Sequence, residues 1–250
     1  MNPLSFAELD GKTTKDLNEL FHLNGFPESF FSSSKTETNR WSLEYKKRLV
    51  REEVNSVENV QDLVSMELLL KLLPSKVGSP LSLNSLREDL SVAHATVDKW
   101  CKILEKLYSF FRITPYGYKL SRAVKKEQKL YFYDWNLVNE ESYRFENMIA
   151  CHLKKWVDFQ EDALGSEFNL QYFRNTDGKE IDFLVTENNK VHMIIECKLG
   201  DESPSSTLRY LKEKHPEAKF WQISLNGKKD YVTPEGSRIC PAIELLKELI

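Results

Sequence analysis

Residues 178–200, GKEIDFLVTENNKVHMIIECKLG, put two carboxylates and a lysine into the most strand-like stretch of the chain. Residues 181–186 and 191–197 read as two short β-strands around the polar turn Glu187-Asn188-Asn189-Lys190. An unpaired charge inside such strands costs several kcal/mol, so Asp182, Glu196 and Lys198 need a reason to be there. Strand alternation predicts His192, Ile194, Glu196 and Lys198 on one face, with Met193, Ile195 and Cys197 on the other. Paired as a hairpin, the strands bring Asp182 close to residues 195–197, and Asp182 and Glu196 converge.

Converging carboxylates repel unless a cation sits between them. A hard divalent ion, Mg2+ or Mn2+, suits carboxylate oxygens, water and a backbone carbonyl, for which Cys197 is placed. Such an ion polarises a phosphoryl oxygen and activates water, and Lys198 would orient that water or stabilise charge growing on the phosphate. The spacing therefore suits metal-assisted phosphodiester hydrolysis, with Asp182, Glu196 and Lys198 as the catalytic set. Other readings stand beside it: Glu196 can simply pair with Lys198, and Asp182 can cap a strand end or bond Lys179. Glu180 competes with Asp182 but lies nearer the turn. Glu146, at the edge of the buried stripe Phe145, Met148, Ile149, Leu153 and Trp156 of a helix over 141–157, is a further candidate ligand or an exposed partner of Lys154.

The elements that must position these groups follow from periodicity. From 140 onward the order is helix (141–157), strand (FNLQYFR), strand (181–186), strand (191–198), helix (205–214), strand (KFWQISL) and final helix (PAIELLKELI). This αβββαβ order predicts a small mixed sheet with helices on its faces. Between 60 and 133 the pattern is helix, helix, helix, hairpin. DLVSMELLLKLLPS stops at Pro74, SLNSLREDL starts from Ser82 or Asn84, and HATVDKWCKILEKLY carries Val97, Trp100, Ile103, Leu104 and Leu107 on one face. The strands SFFRIT and KLYFYDW then bracket a basic loop, which completes a winged helix. As a DNA reader it would offer His94, Thr96 and Lys99 from its last helix. Lys119, Arg122, Lys125, Lys126 and Lys129 would come from the wing; as a connector or docking module it would offer none of these. Residues 1–58 read as helices, with SSSKTETN (32–39) as a polar connector. The expected class is α+β, in three parts: a lid-like helical segment (1–58), a winged helix (59–136) and the mixed sheet (137–250).

Composition narrows the function classes. Hydrophobic residues make up 41% and aromatics 12% of 250 residues, which fits a globular chain rather than a disordered one. No apolar run approaches the roughly 20 residues of a membrane span and no signal-peptide pattern opens the chain, so a cytoplasmic location with no membrane partner is expected. A net charge of −3 argues against a uniformly basic coat, but leaves room for the basic stretch 119–129. The four cysteines never form C-x-x-C and the histidines are scattered, so neither a disulfide framework nor a zinc cluster is expected. Gly11-Lys12-Thr13 is not a phosphate loop, because Phe6 stands where that motif needs glycine.

The set Glu146, then Asp182, Glu196 and Lys198 across two strands, resembles the PD-(D/E)XK nuclease superfamily over residues 140–250. Ile181 replaces the proline of the name. The resemblance implies Asp182 and Glu196 as metal ligands, Lys198 as the catalytic lysine and Glu146 as the helix carboxylate. PLSFAEL, HLNGFPESFF, KLYFYDWNL, RFENMIACHL and GKEIDFLV together resemble the C-terminal half of a prokaryotic AAA-type ATPase family carrying the domain of unknown function 4143. In that family an ATPase module precedes PLSF; here no such site is carried over. Two readings follow. One is a DNA-associated Mg2+-dependent phosphodiesterase. The other is a catalytically silent module that binds nucleic acid, an ATPase module or another copy of itself.

Overall fold

The computed structural model describes residues 2–10, 12–54, 62–117 and 128–249. Among them are nine α-helices and eight strands. The helices are α1 (Thr14–Leu23), α2 (Pro27–Phe31), α3 (Lys35–Arg48), α4 (Leu63–Leu72), α5 (Leu83–Leu90), α6 (His94–Lys106), α7 (Glu141–Leu164), α8 (Ser206–Lys214) and α9 (Ala242–Leu246). The strands are β1 (Phe110–Pro115), β2 (Lys129–Phe132), β3 (Phe168–Arg174), β4 (Glu180–Glu187), β5 (Lys190–Lys198), β6 (Lys219–Ser224), β7 (Tyr231–Val232) and β8 (Ser237–Pro241). Helices come first and the sheet region follows, so the fold is α+β with a mixed sheet. The chain divides into two compact units. One comprises Met1–Leu4, Asn18–Arg112 and Lys129–Asn147, the other Ser5–Leu17, Ile113–Gln128 and Met148–Ile250.

In the first, helical unit, side-chain caps start α3, α4 and α5. Asp62 accepts from the Ser65 amide at the start of α4, and Ser82 from Ser85 at the start of α5. The polar run 32–39 is shorter as a connector than expected, because Ser34 caps α3 by accepting from the Glu37 amide and the helix begins at Lys35. The amphipathic α6 buries Val97, Trp100, Cys101, Ile103 and Leu104. A buried carboxylate ties distant segments of this unit together. Asp134 accepts from Asn24 Nδ2 at 3.1 Å, the Asn136 amide at 3.2 Å and Ser42 Oγ at 2.5 Å. Burial pushes its pKa up, while these donors and Lys46 pull it back. Beside it Trp135 is fully buried and donates its indole N–H to the Leu20 carbonyl. Gly25 leaves room for that ring, since a Cβ there would come within 2.6 Å of it. The Asn147 side chain completes the backbone bonding of Phe132, accepting from its N–H at 2.8 Å and donating to its carbonyl at 2.6 Å.

In the second unit the strand order is β1-β3-β4-β5-β6-β8-β7. The pairs β3–β4, β4–β5 and β7–β8 are antiparallel, and β1–β3, β5–β6 and β6–β8 are parallel. The crossover from β5 to β6 runs through α8, as the αβββαβ pattern requires. Three features exceed the sequence expectation. Strand β1 pairs in parallel with β3, β7 and β8 extend the far edge, and the final helix spans only Ala242–Leu246, with Pro241 ending β8. The apolar filling between α8 and the sheet consists of Ile181, Leu184, Ile194, Leu208, Leu211, Ala218 and Phe220.

His152, on α7, fastens the start of this unit. Its Nε2 accepts from the Phe6 amide at 3.0 Å, which leaves Nδ1 to carry the proton and donate to the Met148 carbonyl at 2.7 Å. Burial lowers its pKa from 6.5 to about 4, the Met148 carbonyl opposing that and Lys155 adding to it. Because the folded pKa lies below the unfolded one, the unfolded chain binds more protons between these values. The contribution is complete above pH 6.5 and is lost as pH falls toward 4. Unfolding free energy from denaturant titration should therefore fall by about 3 kcal/mol on this account between neutral pH and pH 4. His152→Gln should flatten that part of the profile; a variant with the unaltered pH slope would contradict the assignment.

Candidate functional site

Strands β4 and β5 are joined by a two-residue turn whose residues, Asn188 and Asn189, have φ of 48° and 65°. Both are left-handed, a conformation that asparagine tolerates and that matches the strand twist of a tight hairpin. From the turn the register runs Glu187↔Lys190, Thr186↔Val191, then Val185↔Met193, Leu184↔Ile194 and Phe183↔Ile195. The extra residue in β5, a bulge, breaks the expected alternation at His192. That ring packs against Trp156 and Phe168, whereas Val191 and Ile194 pack with Leu208 and Leu211. From Ile194 to Lys198 alternation holds. Carried one step beyond Phe183, the same register sets Asp182 opposite Glu196.

The side chains meet there. Asp182 Oδ2 accepts from the Cys197 amide at 2.7 Å, and Lys198 Nζ stands 3.0 Å from Glu196 Oε1 and 3.9 Å from Glu202. Glu196 is 8% exposed, while Asp182 and Lys198 are half-buried. Burial works against the Lys198 charge, yet Glu196, Asp182 and Glu202 together hold its pKa above the ordinary lysine value. The ammonium is thus present throughout the neutral range. It can stabilise negative charge but has no lone pair to offer as a base.

Backbone geometry adds an oxygen. The N–H and C=O of one strand residue point to the same side, so the Cys197 carbonyl faces the side on which its amide meets Asp182. The next carbonyl, that of Lys198, faces the other way and accepts from the Leu225 amide on the β6 side at 3.1 Å. Two carboxylates and one carbonyl with water form an oxygen set of the kind magnesium takes, so these residues fit that ion by chemistry. No group of three or more His, Cys, Asp or Glu forms a ligand cluster among the described residues. Glu180, the competitor, lies 3.8 Å from Arg174 instead.

A residue that sequence reasoning missed supports this edge. Gln222 on β6 is the register partner of Glu196, is almost fully buried, and spends its whole amide on the loop after β5. Its Oε1 accepts from the Ser205 amide and its Nε2 donates to the carbonyls of Glu202 and Ser203. The loop that carries Glu202 is thereby tied to the strand beside Glu196. Only its place inside an apolar strand, KFWQIS, marked it in the sequence.

The other expected residues belong to the helical unit or fall outside the described residues. Glu146 belongs to the helical unit, where it is buried, accepts from Tyr131 O–H at 2.6 Å and faces Lys129 Nζ at 3.6 Å. Lys129 is 1% exposed and so does not offer its charge to a nucleic-acid phosphate; its ammonium is absorbed by this interior cluster. His94 and Lys99 are exposed on α6, with Thr96 partly so. Lys119, Arg122, Lys125 and Lys126 lie outside the described residues. None of the described helices is long and apolar enough to cross a membrane.

Comparison with known proteins divides the chain at the start of α7. Residues 144–244 match the family described as Domain of unknown function (DUF4143), which is the stretch that holds Asp182, Glu196 and Lys198. HLNGFPESFF and KLYFYDWNL fall within a second family model that precedes it. No curated protein and no solved structure matches. Residues 14–143, more than half of the chain, match Domain of unknown function (DUF8612), and the chain belongs to that family, with a DUF4143 domain following.

Proposed function

We propose that the sheet unit is a PD-(D/E)XK-type phosphodiesterase domain acting on DNA, in a protein of the AAA-ATPase-associated kind. The observation that carries this reading is the meeting of Asp182, Glu196, the Cys197 backbone and Lys198 at the end of one strand pair. Asp182, Glu196 and the Cys197 carbonyl would hold Mg2+ or Mn2+. When bound, such an ion supplies Lewis acidity toward a phosphoryl oxygen and lowers the pKa of water. The chain's own residues do the rest. Lys198, kept charged by its carboxylate neighbours, offsets negative charge growing on the phosphate. Asp182 holds the Cys197 peptide in orientation, and Gln222 anchors the loop of Glu202. The three helices α4, α5 and α6 with the strands after them serve as a winged helix that contacts DNA through His94, Thr96, Lys99 and the basic stretch 119–126.

A catalytically silent module is the second reading, and one observation favours it: Lys198 Nζ pairs directly with Glu196 Oε1 at 3.0 Å. There the two units dock nucleic acid, an ATPase module or another copy of the chain.

Cleavage of labelled single- and double-stranded DNA and RNA in Mg2+ or Mn2+ separates these readings. Activity should fall by at least about a hundredfold in Asp182→Ala and in Lys198→Ala, the scale of losing a group that stabilises developing charge, while circular dichroism stays that of the parent. Absence of cleavage on every substrate, with no heat of divalent-metal binding, would leave the silent module.

DNA contact is tested on its own. Lys99→Glu, and Lys125→Glu with Lys126→Glu, should each weaken binding in fluorescence anisotropy and flatten the dependence of log K on log salt. Unchanged affinity and slope in these variants would remove the helical unit from DNA recognition.

A further inference from the structure

The helical unit holds a cleft of about 770 Å³ whose lining has the chemistry of an anion site. One wall is a face of α3, where Asn39, Ser42, Leu43 and Lys46 recur at helical spacing. Lys71 near the end of α4 and Pro74 in the turn that follows it line the cleft too, as does the segment 136–140.

Two cations face this space. Lys46 is partly buried and Lys71 exposed, and neither enters an ion pair among the described residues. Burial, together with Lys71, lowers the Lys46 pKa, against the pull of Asp134 from beneath the wall. Two like charges directed into one concavity destabilise each other, and an anion between them removes that cost. The wall is held in place before any ligand arrives, because Asp134 binds both Ser42 and the Asn136 amide. Such a preformed wall lowers the ordering cost of binding.

The remaining lining selects among anions. Leu43 is exposed, at 52%, and Leu137 and Val138 extend the apolar surface. The Tyr143 ring closes one end, seated against Gly78, where a Cβ would come within 2.3 Å of it. Gly78 also has φ of +81°, so its place is reserved for glycine on two counts. A bare inorganic anion has no use for an aromatic and aliphatic wall. Glu140, exposed on the rim, would repel an anion approaching it but accepts hydrogen bonds from sugar hydroxyls. The volume lies within the roughly 300–1,000 Å³ of small-molecule sites.

We propose that this cleft binds a nucleoside phosphate, with Lys46 and Lys71 on the phosphate oxygens, Glu140 on the ribose hydroxyls and the base against Leu43, Leu137 and Tyr143. The inference is independent of the cleavage reading, since every residue it uses lies in the helical unit.

Titration calorimetry of the full chain with ADP and with inorganic pyrophosphate tests it. ADP should bind saturably and more tightly than pyrophosphate. Lys46→Met and Lys71→Met should each weaken ADP at least tenfold, while Lys47→Met, on the same helix but outside the cleft, should not. Glu140→Leu, which removes the acceptor, should lower the preference for ADP over pyrophosphate. Lys71 is exposed, so its variant keeps the test sound if Lys46→Met disturbs folding. A 5′-phosphorylated trinucleotide that displaces ADP would identify strand ends as the source of the ligand, and failure to displace would identify free nucleotide. No saturable binding of ADP, or ADP binding of parental strength in both lysine variants, would overturn the proposal.

Discussion

The pairing register of β4 with β5 is the constraint on which the candidate site depends. Asp182 and Glu196 are fourteen positions apart in sequence and become neighbours only because Phe183 stands opposite Ile195. A slip of one residue would turn every side chain of one strand to the other face. It would carry Leu184 or Ile194, according to which strand slips, away from Leu208 and Leu211, and expose apolar surface worth roughly 25 cal/mol per Å². The register is therefore held by burial in the middle of the hairpin and by two left-handed asparagines at its turn. The polar groups at the open end are placed by forces that do not involve them. This answers why charges can sit in such apolar strands: they stand where the apolar pattern stops, and each is met by an opposite charge or a backbone donor.

What was legible in the sequence follows the range of the interaction concerned. The β4–β5 hairpin, α8 and β6 are local units with clear period, and each forms where its pattern predicts it. The parallel pairing of β1 with β3 joins residues more than fifty positions apart and leaves no local trace. Strands β7 and β8 have two and five residues, the second ending in proline beside a helix-forming run, so period had too little length to act on. In SSSKTETN the polarity points to a connector, but the Ser34 cap and helix-compatible residues after it outweigh that signal.

Charge was the least reliable guide to location. Lys129 adjoins the basic stretch in sequence yet lies inside, where Tyr131 and Glu146 offer it a polar setting. Glu146 fits the edge of an amphipathic stripe equally well as an interior residue. Asp134, the organising carboxylate of the helical unit, belongs to no motif, because its donors come from Asn24 and Ser42, about a hundred positions upstream. A single sequence shows which residues can ionise, but burial and partners decide what that ionisation is used for.

The lengths of the two acids at the strand ends explain why they are not interchangeable. Asp182 has one methylene between backbone and carboxylate, which suits it to grip the Cys197 amide across the strand gap at 2.7 Å. A glutamate there would have to fold back to make that bond, losing side-chain entropy for the same contact. Glu196 needs its second methylene to extend beside Lys198, whose ammonium it meets at 3.0 Å. Gln222 then stands beside it with the same reach but no charge, and its neutral amide can satisfy two carbonyls and an amide without adding a further negative group. The edge thus separates two tasks: neutral amides shape the loop, and the carboxylates with Lys198 supply the field that any phosphate entering there would meet.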